Sequence, residues 1–244
     1  MKSTPQAELT PGLVLLMAIA TGLVVASNYY AQPLLDTIAV QFNLTTNMAG
    51  FIVTTAQLSY AVGLLLLVPL GDLFERRNLI LIMTILSACG LLVTALANNI
   101  WLILLGTGLT GLFSVVAQIL VPLAATLAKP HQRGKAVGFI MSGLLLGILL
   151  ARTLSGAMAM IGGWRAIYWL AFFILMLLVV IMWRKLPRYQ SPIELNYGQL
   201  LGSIFQLFFT TPVLAVRSIL GGLAFANFAL LWTAMAFLLA GEPF

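Results

Sequence analysis

The sequence predicts an all-α integral membrane protein, built as a six-helix bundle followed by a seventh transmembrane helix. Of its 244 residues, 61% are hydrophobic and 7% are charged, and the mean hydropathy is +1.08. A soluble domain carries about 25% charged residues, so this composition indicates a chain that crosses a membrane several times. No stretch alternates apolar and polar residues for long, which favours helices over a β-barrel.

Seven apolar stretches are long enough to cross a bilayer, which takes about 20 residues each. They cover residues 13–35, 48–70, 79–97, 100–128, 136–161, 166–183 and 213–240. The first stretch has no small-residue cleavage site after it, so we interpret it as a retained helix rather than a signal peptide. We therefore divide the chain into a six-helix bundle (1–183), a cytoplasmic central linker (184–212) and the first helix of an incomplete second bundle (213–244).

The positions of the basic residues predict the orientation. With the N-terminus in the cytoplasm, nine of the twelve lysine and arginine residues lie on the inner side, and only Arg165 falls in an outer loop. The nine are Lys2, Arg76, Arg77, Lys129, Arg133, Lys135, Arg184, Lys185 and Arg188. This is the positive-inside pattern of a multi-pass protein in a cell membrane. Because topology accounts for the net charge of +6, the bilayer is the expected partner and nucleic acid is not.

The linker contains one amphipathic pattern. Apolar and aromatic residues recur at helical spacing, and polar residues take the opposite face. The apolar set is Tyr197, Leu200, Leu201, Ile204, Phe205 and Phe208, and the polar set is Asn196, Gln199, Ser203 and Gln206. Such a pattern predicts a helix that lies in the inner membrane interface.

The fifth apolar stretch carries a stripe of small residues beside a single charge. Gly143, Gly147, Ala151 and Ser155 recur every four residues and share one helix face, which lets another helix approach closely in a membrane. Beside them is Arg152, a guanidinium that costs about 2.5 kcal/mol or more in a bilayer unless it faces protein or water. We expect Arg152 to face a polar pathway. The alternative is a side chain that reaches the outer interface, against the tilt of its Cα–Cβ bond.

Polar and aromatic residues of other stretches are candidates for the same pathway, because polar groups in a membrane need partners. The candidates are Asn28, Tyr29, Tyr30, Gln32, Asp36, Gln57, Tyr60, Gln118, Arg152, Asn227 and Trp232. In the alternative interpretation, some only bond between helices or belong to the interfacial aromatic belt. Tyr29 and Tyr30 are neighbours that cannot face one direction, so at least one of them packs. We predict that Asp36 pairs with Arg152 in one conformation, the alternative being an exposed aspartate of the outer loop.

The loop between the second and third stretches reads Gly-Asp-Leu-Phe-Glu-Arg-Arg-Asn from Gly71. It resembles the signature loop of the major facilitator superfamily, in which a glycine is followed after three residues by an acid and then a basic residue. Gly71, Glu75 and Arg76 match, whereas Asn78 stands where the family usually has glycine. The resemblance implies a conformational latch at the inner surface, in which the acid and the arginine pair with each other and with helix ends. Its residues are Gly71, Asp72, Glu75, Arg76 and Arg77; the alternative is an ordinary basic inner loop.

Two further features support this resemblance. The fifth stretch is similar to a motif of the family's antiporters: Gly143 and Gly147 match, although Ile148 replaces a proline and Arg152 stands within a replaced glycine pair. The first and fourth stretches share Ala-Gln and Pro-Leu pairs, at 31–34 and at 117–118 with 122–123. This similarity is typical of inverted three-plus-three repeats, and it makes Gln32 and Gln118 the better candidates for a pocket.

The resemblance implies a twelve-span transporter of a bacterial inner membrane, most like drug and sugar efflux members, that exports a small molecule in exchange for protons. The residues here supply a six-span bundle and one helix, so we expect this chain not to transport alone and its small-residue stripe to face lipid or another copy. Three possibilities stay open: a transporter completed by another chain or a dimer mate, an inactive remnant, and a non-transporting membrane scaffold. The sequence carries no enzyme motif, and we expect neither a cofactor nor a metal site.

Overall fold

The computed structural model describes residues 9–190 and 196–240, and helices provide all the regular structure in these ranges. Within them, six helical segments are long and apolar enough to cross a membrane. These are Thr46–Leu73, Arg76–Ala95, Ile100–Leu127, Pro130–Gly162, Arg165–Lys185 and Pro212–Met235. They confirm the second to seventh predicted stretches as helices. Lys2, residues 191–195 of the predicted linker and the residues after Ala240 lie outside the described residues.

The helices follow one another with short connections. They are α1 (Pro11–Ala26), α2 (Leu35–Phe42), α3 (Thr46–Leu66), α4 (Leu70–Leu73), α5 (Arg76–Ala95), α6 (Ile100–Phe113), α7 (Ala117–Leu127), α8 (Arg133–Gly162), α9 (Arg165–Lys185), α10 (Tyr197–Thr210) and α11 (Pro212–Ala240). Local sequence starts several of them, because the side chains of Thr10, Thr45 and Asn99 accept hydrogen bonds from the first-turn amides of α1, α3 and α6. Such caps satisfy amides that have no partner inside the helix.

The first apolar stretch is not one continuous helix, contrary to the prediction of a single span over 13–35. α1 has 16 residues and ends at Ala26, a turn and a short 3₁₀ helix (Gln32–Leu34) follow, and α2 continues to Phe42. Pro33 has no amide hydrogen to extend an α-helix across this point. The whole segment runs parallel to α8, from Gly22 against Gly147 to Gln41, whose side chain accepts a hydrogen bond from Trp164 beyond the end of α8.

The fourth stretch is broken as well, by a 3₁₀ turn at Ser114–Val116 between α6 and α7. The two breaks lie against each other, because Asn28 Nδ2 donates a hydrogen bond to Ser114 Oγ. A break in the first and fourth spans at corresponding places agrees with the internal similarity of these two segments. At each break, backbone amide and carbonyl groups lose their hydrogen bonds within the helix, and the two breaks lie at the same depth of the bundle.

The small-residue stripe of α8 packs against α1, which corrects the expectation that it faces lipid or another copy. A Cβ atom added to Gly22 would lie 2.6 Å from the carbonyl oxygen of Gly143, and one added to Gly147 would lie 2.6 Å from the Cα of Gly22. Ala151 and Ser155 are buried, and Ser155 Oγ donates to the carbonyl of Tyr30 at 2.8 Å. The stripe finds its partner inside the bundle because α1 is also free of bulky side chains at the contact.

The linker begins against the loop at 71–78. The amide of Arg76 donates to the carbonyl of Tyr189 at 2.8 Å, and the Arg76 guanidinium lies 5.2 Å from the centre of the Tyr189 ring. α10 is confirmed as a helix and starts with a capping box of Asn196 and Gln199. Tyr197 Oη donates to the carbonyl of Leu66 at the end of α3. The two described parts of the linker, before and after residues 191–195, are thus both hydrogen-bonded to the same end of the bundle.

Candidate functional site

A cavity of about 450 Å³ opens beside the break in the first span. It is bounded by the turn after α1 and by α3, α7, α8 and α11. Five predicted pathway residues meet in it: Asn28, Tyr29, Gln57, Tyr60 and Gln118. Its apolar wall is formed by Val25, Ala61, Leu64, Met141, Leu144, Ile148 and Phe225. The volume lies in the range of small-molecule sites, which are apolar with a few placed polar groups.

The polar groups of the cavity are amides and phenols. Gln57, Tyr60 and Leu64 lie three and four residues apart, so α3 presents them on one face. Gln118 Nε2 reaches Tyr60 Oη at 3.4 Å, which connects α7 to α3 across the cavity. Among its lining residues, none is charged. The cavity can therefore donate and accept hydrogen bonds without holding a fixed charge.

Arg152 lies one helical turn beyond Ile148, at the end of the cavity towards α2. Its guanidinium donates to Gln32 Oε1 at 2.8 Å and to the carbonyl of Ile148 at 3.1 Å. Three aromatic rings surround it: Trp232 at 3.9 Å from the ring centre, Tyr29 at 5.2 Å and Phe228 at 5.5 Å. Ring faces attract a guanidinium, more so where water is excluded. Arg152 therefore faces other protein groups, and the prediction that it faces a polar pathway stays a prediction.

α11 contacts the bundle through a row of aromatic side chains. Phe225 lines the cavity, Phe228 lies edge-on to Tyr29 at 6.4 Å, and Trp232 covers Arg152. The three recur at i, i+3 and i+7, which places them on one helix face. Only Trp232 was among the predicted residues. The spacing of the two phenylalanines relative to it was the signal that identifies the whole row.

Other predicted residues lie elsewhere. Tyr30 packs edge-on against Tyr168 of α9, at 6.5 Å between ring centres, whereas Tyr29 lines the cavity. Gln32 is buried against Arg152 rather than in the cavity. Asn227 is exposed and donates to Leu223 of its own helix. Asp36 is exposed on α2, and its pairing with Arg152 in another conformation stays a prediction.

The loop at 71–78 uses a different acid from the one that the resemblance indicated. Arg76 Nη2 bonds to Asp72 at 2.8 Å and Arg76 Nε donates to the carbonyl of Gly71 at 2.9 Å, rather than pairing with Glu75. Asp72 belongs to α4 and Arg76 begins α5, and the two residues between these helices, Phe74 and Glu75, have extended backbone. Within the part of the chain that the structure describes, Glu75 Oε1 and Arg77 Nε are buried without hydrogen-bond partners. Arg76 Nη1 is unsatisfied as well, so the loop holds one formed pair and three buried groups without partners among the described residues.

Comparison with known proteins gives consistent results. A family model described as Major Facilitator Superfamily matches residues 17–242. The chain is 62% identical over 240 residues to the uncharacterized transporter YgaY of Escherichia coli O157:H7, an alignment that covers 98% of this chain and 61% of that protein. It is 27% identical over 191 residues to a probable sugar efflux transporter of Helicobacter pylori, covering 78% of this chain and 46% of the relative. The chain thus spans about three fifths of the length of its relative from Escherichia coli.

Solved structures share the fold. A bacterial homologue of the human lysosomal transporter Spinster, in an inward-facing and unoccupied conformation, superposes with a TM-score of 0.66 at 17% identity, over 85% of this chain and 49% of that one. The xylose transporter XylE from Escherichia coli, in an inward-open conformation, gives a TM-score of 0.64 at 19% identity, over 87% and 56%. At this identity the likeness concerns the arrangement of the helices.

Proposed function

Because this chain belongs to the Major Facilitator Superfamily, we propose that its bundle forms one wall of a transporter that exports a small polar molecule by alternating access, coupled to protons. The cavity beside the broken first span carries this proposal. It lies between the two halves of the bundle, it offers amides and phenols, and α11 covers it with Phe225. Hydroxyl groups of a sugar suit such a lining. The name of the Helicobacter pylori relative supports both the sugar and the outward direction.

We propose that transport requires a second six-helix bundle and that this chain alone does not transport. Alternating access in this fold proceeds by rocking one bundle against another around a central site. The described residues supply one bundle and α11. The second wall would face the side of the cavity that α11 covers, so its loss would leave a binding site without a second gate.

We further propose that the loop at 71–78 acts as a latch at the inner surface. The pair of Asp72 and Arg76 fixes the end of α4 to the start of α5. Glu75 and Arg77 retain unsatisfied groups that a facing bundle could bind in one conformation and release in the other. Buried polar groups without partners are costly, so such a contact would favour the conformation that provides it.

Flux into proteoliposomes tests the proposal. The chain is reconstituted alone and together with the remaining C-terminal segment of the 62% identical Escherichia coli relative. The probes are radiolabelled glucose, xylose and glucuronate, with and without an imposed proton gradient. We expect saturable flux of at least one probe only in the paired sample, and loss of uphill flux when a protonophore collapses the gradient.

Two amide residues provide a matched pair of variants. Gln118→Leu removes an amide that lines the cavity, whereas Asn227→Leu removes an exposed amide that bonds its own helix. We expect Gln118→Leu to lower flux at least about tenfold, the equivalent of one strong hydrogen bond, and Asn227→Leu to leave it within a factor of two or so. Flux by the chain alone would contradict the need for a second bundle. Equal flux in both variants would contradict the assignment of the cavity, and no flux in any sample would favour the scaffold or remnant interpretation.

A further inference from the structure

The charge of Arg152 is not balanced by any acid in the described ranges. The one ion pair found there, between Arg76 and Asp72, lies at the opposite end of the bundle. The side-chain partner of Arg152 is the neutral amide oxygen of Gln32, and its other hydrogen bond goes to a backbone carbonyl. A guanidinium inside a membrane protein normally pairs with a carboxylate or lines a water-filled path. Among the described residues, Arg152 therefore has hydrogen-bond acceptors but no negatively charged partner.

Two buried donors at this place also lack acceptors. Arg152 Nε and Gln32 Nε2 make no hydrogen bond in residues 9–190 and 196–240. The surrounding rings of Trp232, Tyr29 and Phe228 attract the positive charge through their faces. None of the three residues accepts a hydrogen bond from Arg152 Nε or Gln32 Nε2, however, so the rings stabilise the charge and leave the two donors unsatisfied.

A second arginine of the chain shows what a satisfied arrangement looks like. Arg165 also lies over a tryptophan ring, with its guanidinium 4.3 Å from the centre of Trp164. Its two terminal nitrogens donate to the carbonyl of Ala97 and to Gln41 Oε1, at the exposed outer end of the bundle. Stacking on tryptophan therefore does not require orphaned donors, and the orphans around Arg152 need a separate explanation.

We propose that Arg152 and Gln32 recognise the carboxylate of a small hydroxylated organic acid, whose remaining atoms lie in the adjacent cavity. Tyr29 both lines the cavity and contacts Arg152, and Ile148 does the same through its carbonyl. A carboxylate supplies acceptors for both orphaned donors and matches the planar guanidinium. One negative charge neutralises one arginine, whereas a phosphate dianion would leave an excess charge in a site of low dielectric.

Binding of the acid would also act on α11. Trp232 and Phe228 hold the guanidinium that the carboxylate would draw towards Gln32 and the cavity. Occupancy of the site therefore weakens the aromatic contact between α11 and the bundle. This deepens the proposed function, on which it rests for the role of the cavity, by assigning a charge to the transported molecule.

The test is a binding measurement on the purified 244-residue chain in detergent, and it needs no transport. The probes are acetate, lactate, gluconate and glucuronate, each compared with its own primary amide. Titrated thermal stabilisation gives an apparent affinity for every compound. We expect at least one acid to bind about tenfold or more tightly than its amide, because the two differ in charge and hardly in shape.

Three variants separate this site from general attraction of anions to a basic protein. Arg152→Gln should reduce the ratio of acid to amide affinity to about one, and Arg152→Lys should keep a ratio above one but below that of the unaltered chain. Arg165→Gln is the matched control and should keep the full ratio. An acid that never exceeds its amide, or a preference that survives Arg152→Gln or disappears in Arg165→Gln, would overturn the inference. If the paired proteoliposomes transport neutral sugars and the chain shows no preference for acids, the carboxylate inference fails and the transport proposal stands. If acids bind but no flux is seen in the paired proteoliposomes, only the transport proposal fails.

Discussion

Substitution of Gly147 by alanine tests whether α1 and α8 are held at backbone contact. The added Cβ would lie 2.6 Å from the Cα of Gly22. Ordinary van der Waals contact begins near 3.4 Å, and the carbonyl oxygen of Gly22 lies even closer to the added Cβ than its Cα does, so the helices must separate locally by at least about 0.8 Å. The neighbouring atoms belong to backbone and not to a flexible side chain, which leaves no cheaper adjustment. Gly147→Ala should therefore destabilise the bundle.

The magnitude follows from the loss of dispersion across this interface. A radial gap of about 0.5–1 Å forfeits a quarter to a half of each contact energy, which is about 0.1–0.2 kcal/mol per atom pair. Spread over the contacts between two helices, and with some strain added, the loss is about 1–3 kcal/mol. Alanine returns up to about 1 kcal/mol through its better helix propensity. The control is Gly156→Ala in the same helix, where nothing lies within 4 Å of the added Cβ, and where only that gain applies.

Thermal unfolding in detergent, followed by the loss of the monodisperse peak in size-exclusion chromatography, compares the two variants. For a chain of this size, about 1 kcal/mol shifts the midpoint by about 2–4 °C. We expect Gly147→Ala to unfold at least a few degrees below Gly156→Ala. Equal midpoints would refute the close contact of α1 and α8, and with it the role of the small-residue stripe within the bundle.

Other consequences are tested with single substitutions and labels. If Asp36 pairs with Arg152 in one conformation, the stability losses of Asp36→Asn and Arg152→Gln should be non-additive by about 0.5 kcal/mol or more in a double-mutant cycle, and additive losses would exclude the pair. Ser155→Ala removes a buried hydrogen bond to a backbone carbonyl and should cost about 1–2 kcal/mol, whereas Ser142→Ala, whose hydroxyl is exposed and bonds its own helix, should change stability by less than about 0.5 kcal/mol. Cys89 is exposed within the apolar helix α5, so in intact membranes it should resist a charged maleimide and react with it once SDS unfolds the chain, because the thiolate that attacks maleimide forms in water; labelling in intact membranes would place this face of α5 in water.

Most of the fold was predictable because a membrane span is defined by composition over about 20 residues. Helix bounds shifted by only a few residues in α5, α8 and α9. The breaks after Ala26 and at Ser114 were not predicted, since an apolar stretch with a short 3₁₀ turn has the same composition as one without. Their cause is tertiary: the bond between Asn28 and Ser114 stabilises the two breaks together.

The sequence predicted which residues belong to the site, but it did not predict which of them contact one another. Polarity within apolar stretches identified the amides and tyrosines of the cavity, because each such group needs a partner. Polarity could not distinguish the roles of Gln32 and Gln118, because both are glutamines within apolar stretches. Gln32 bonds to Arg152, whereas Gln118 lines the cavity. The pairing of Asp36 with Arg152 in one conformation stays a prediction. The sequence did not indicate the rings of Phe228 and Trp232 around Arg152, because these residues of α11 lie more than seventy positions further along the chain.

The fastening of the linker to the bundle affects how strongly α11 must bind. Tyr189 and Tyr197 are tied to Arg76 and to the end of α3 before the chain reaches α11, and only Thr211 separates α10 from α11. Docking of α11 is therefore an intramolecular event governed by effective concentration, which is of millimolar order for short tethers. An aromatic contact with an intrinsic dissociation constant of about 1 mM, or about −4 kcal/mol, would be occupied roughly half of the time. A contact of that strength can be displaced by a bound molecule, which is the property required of a gate.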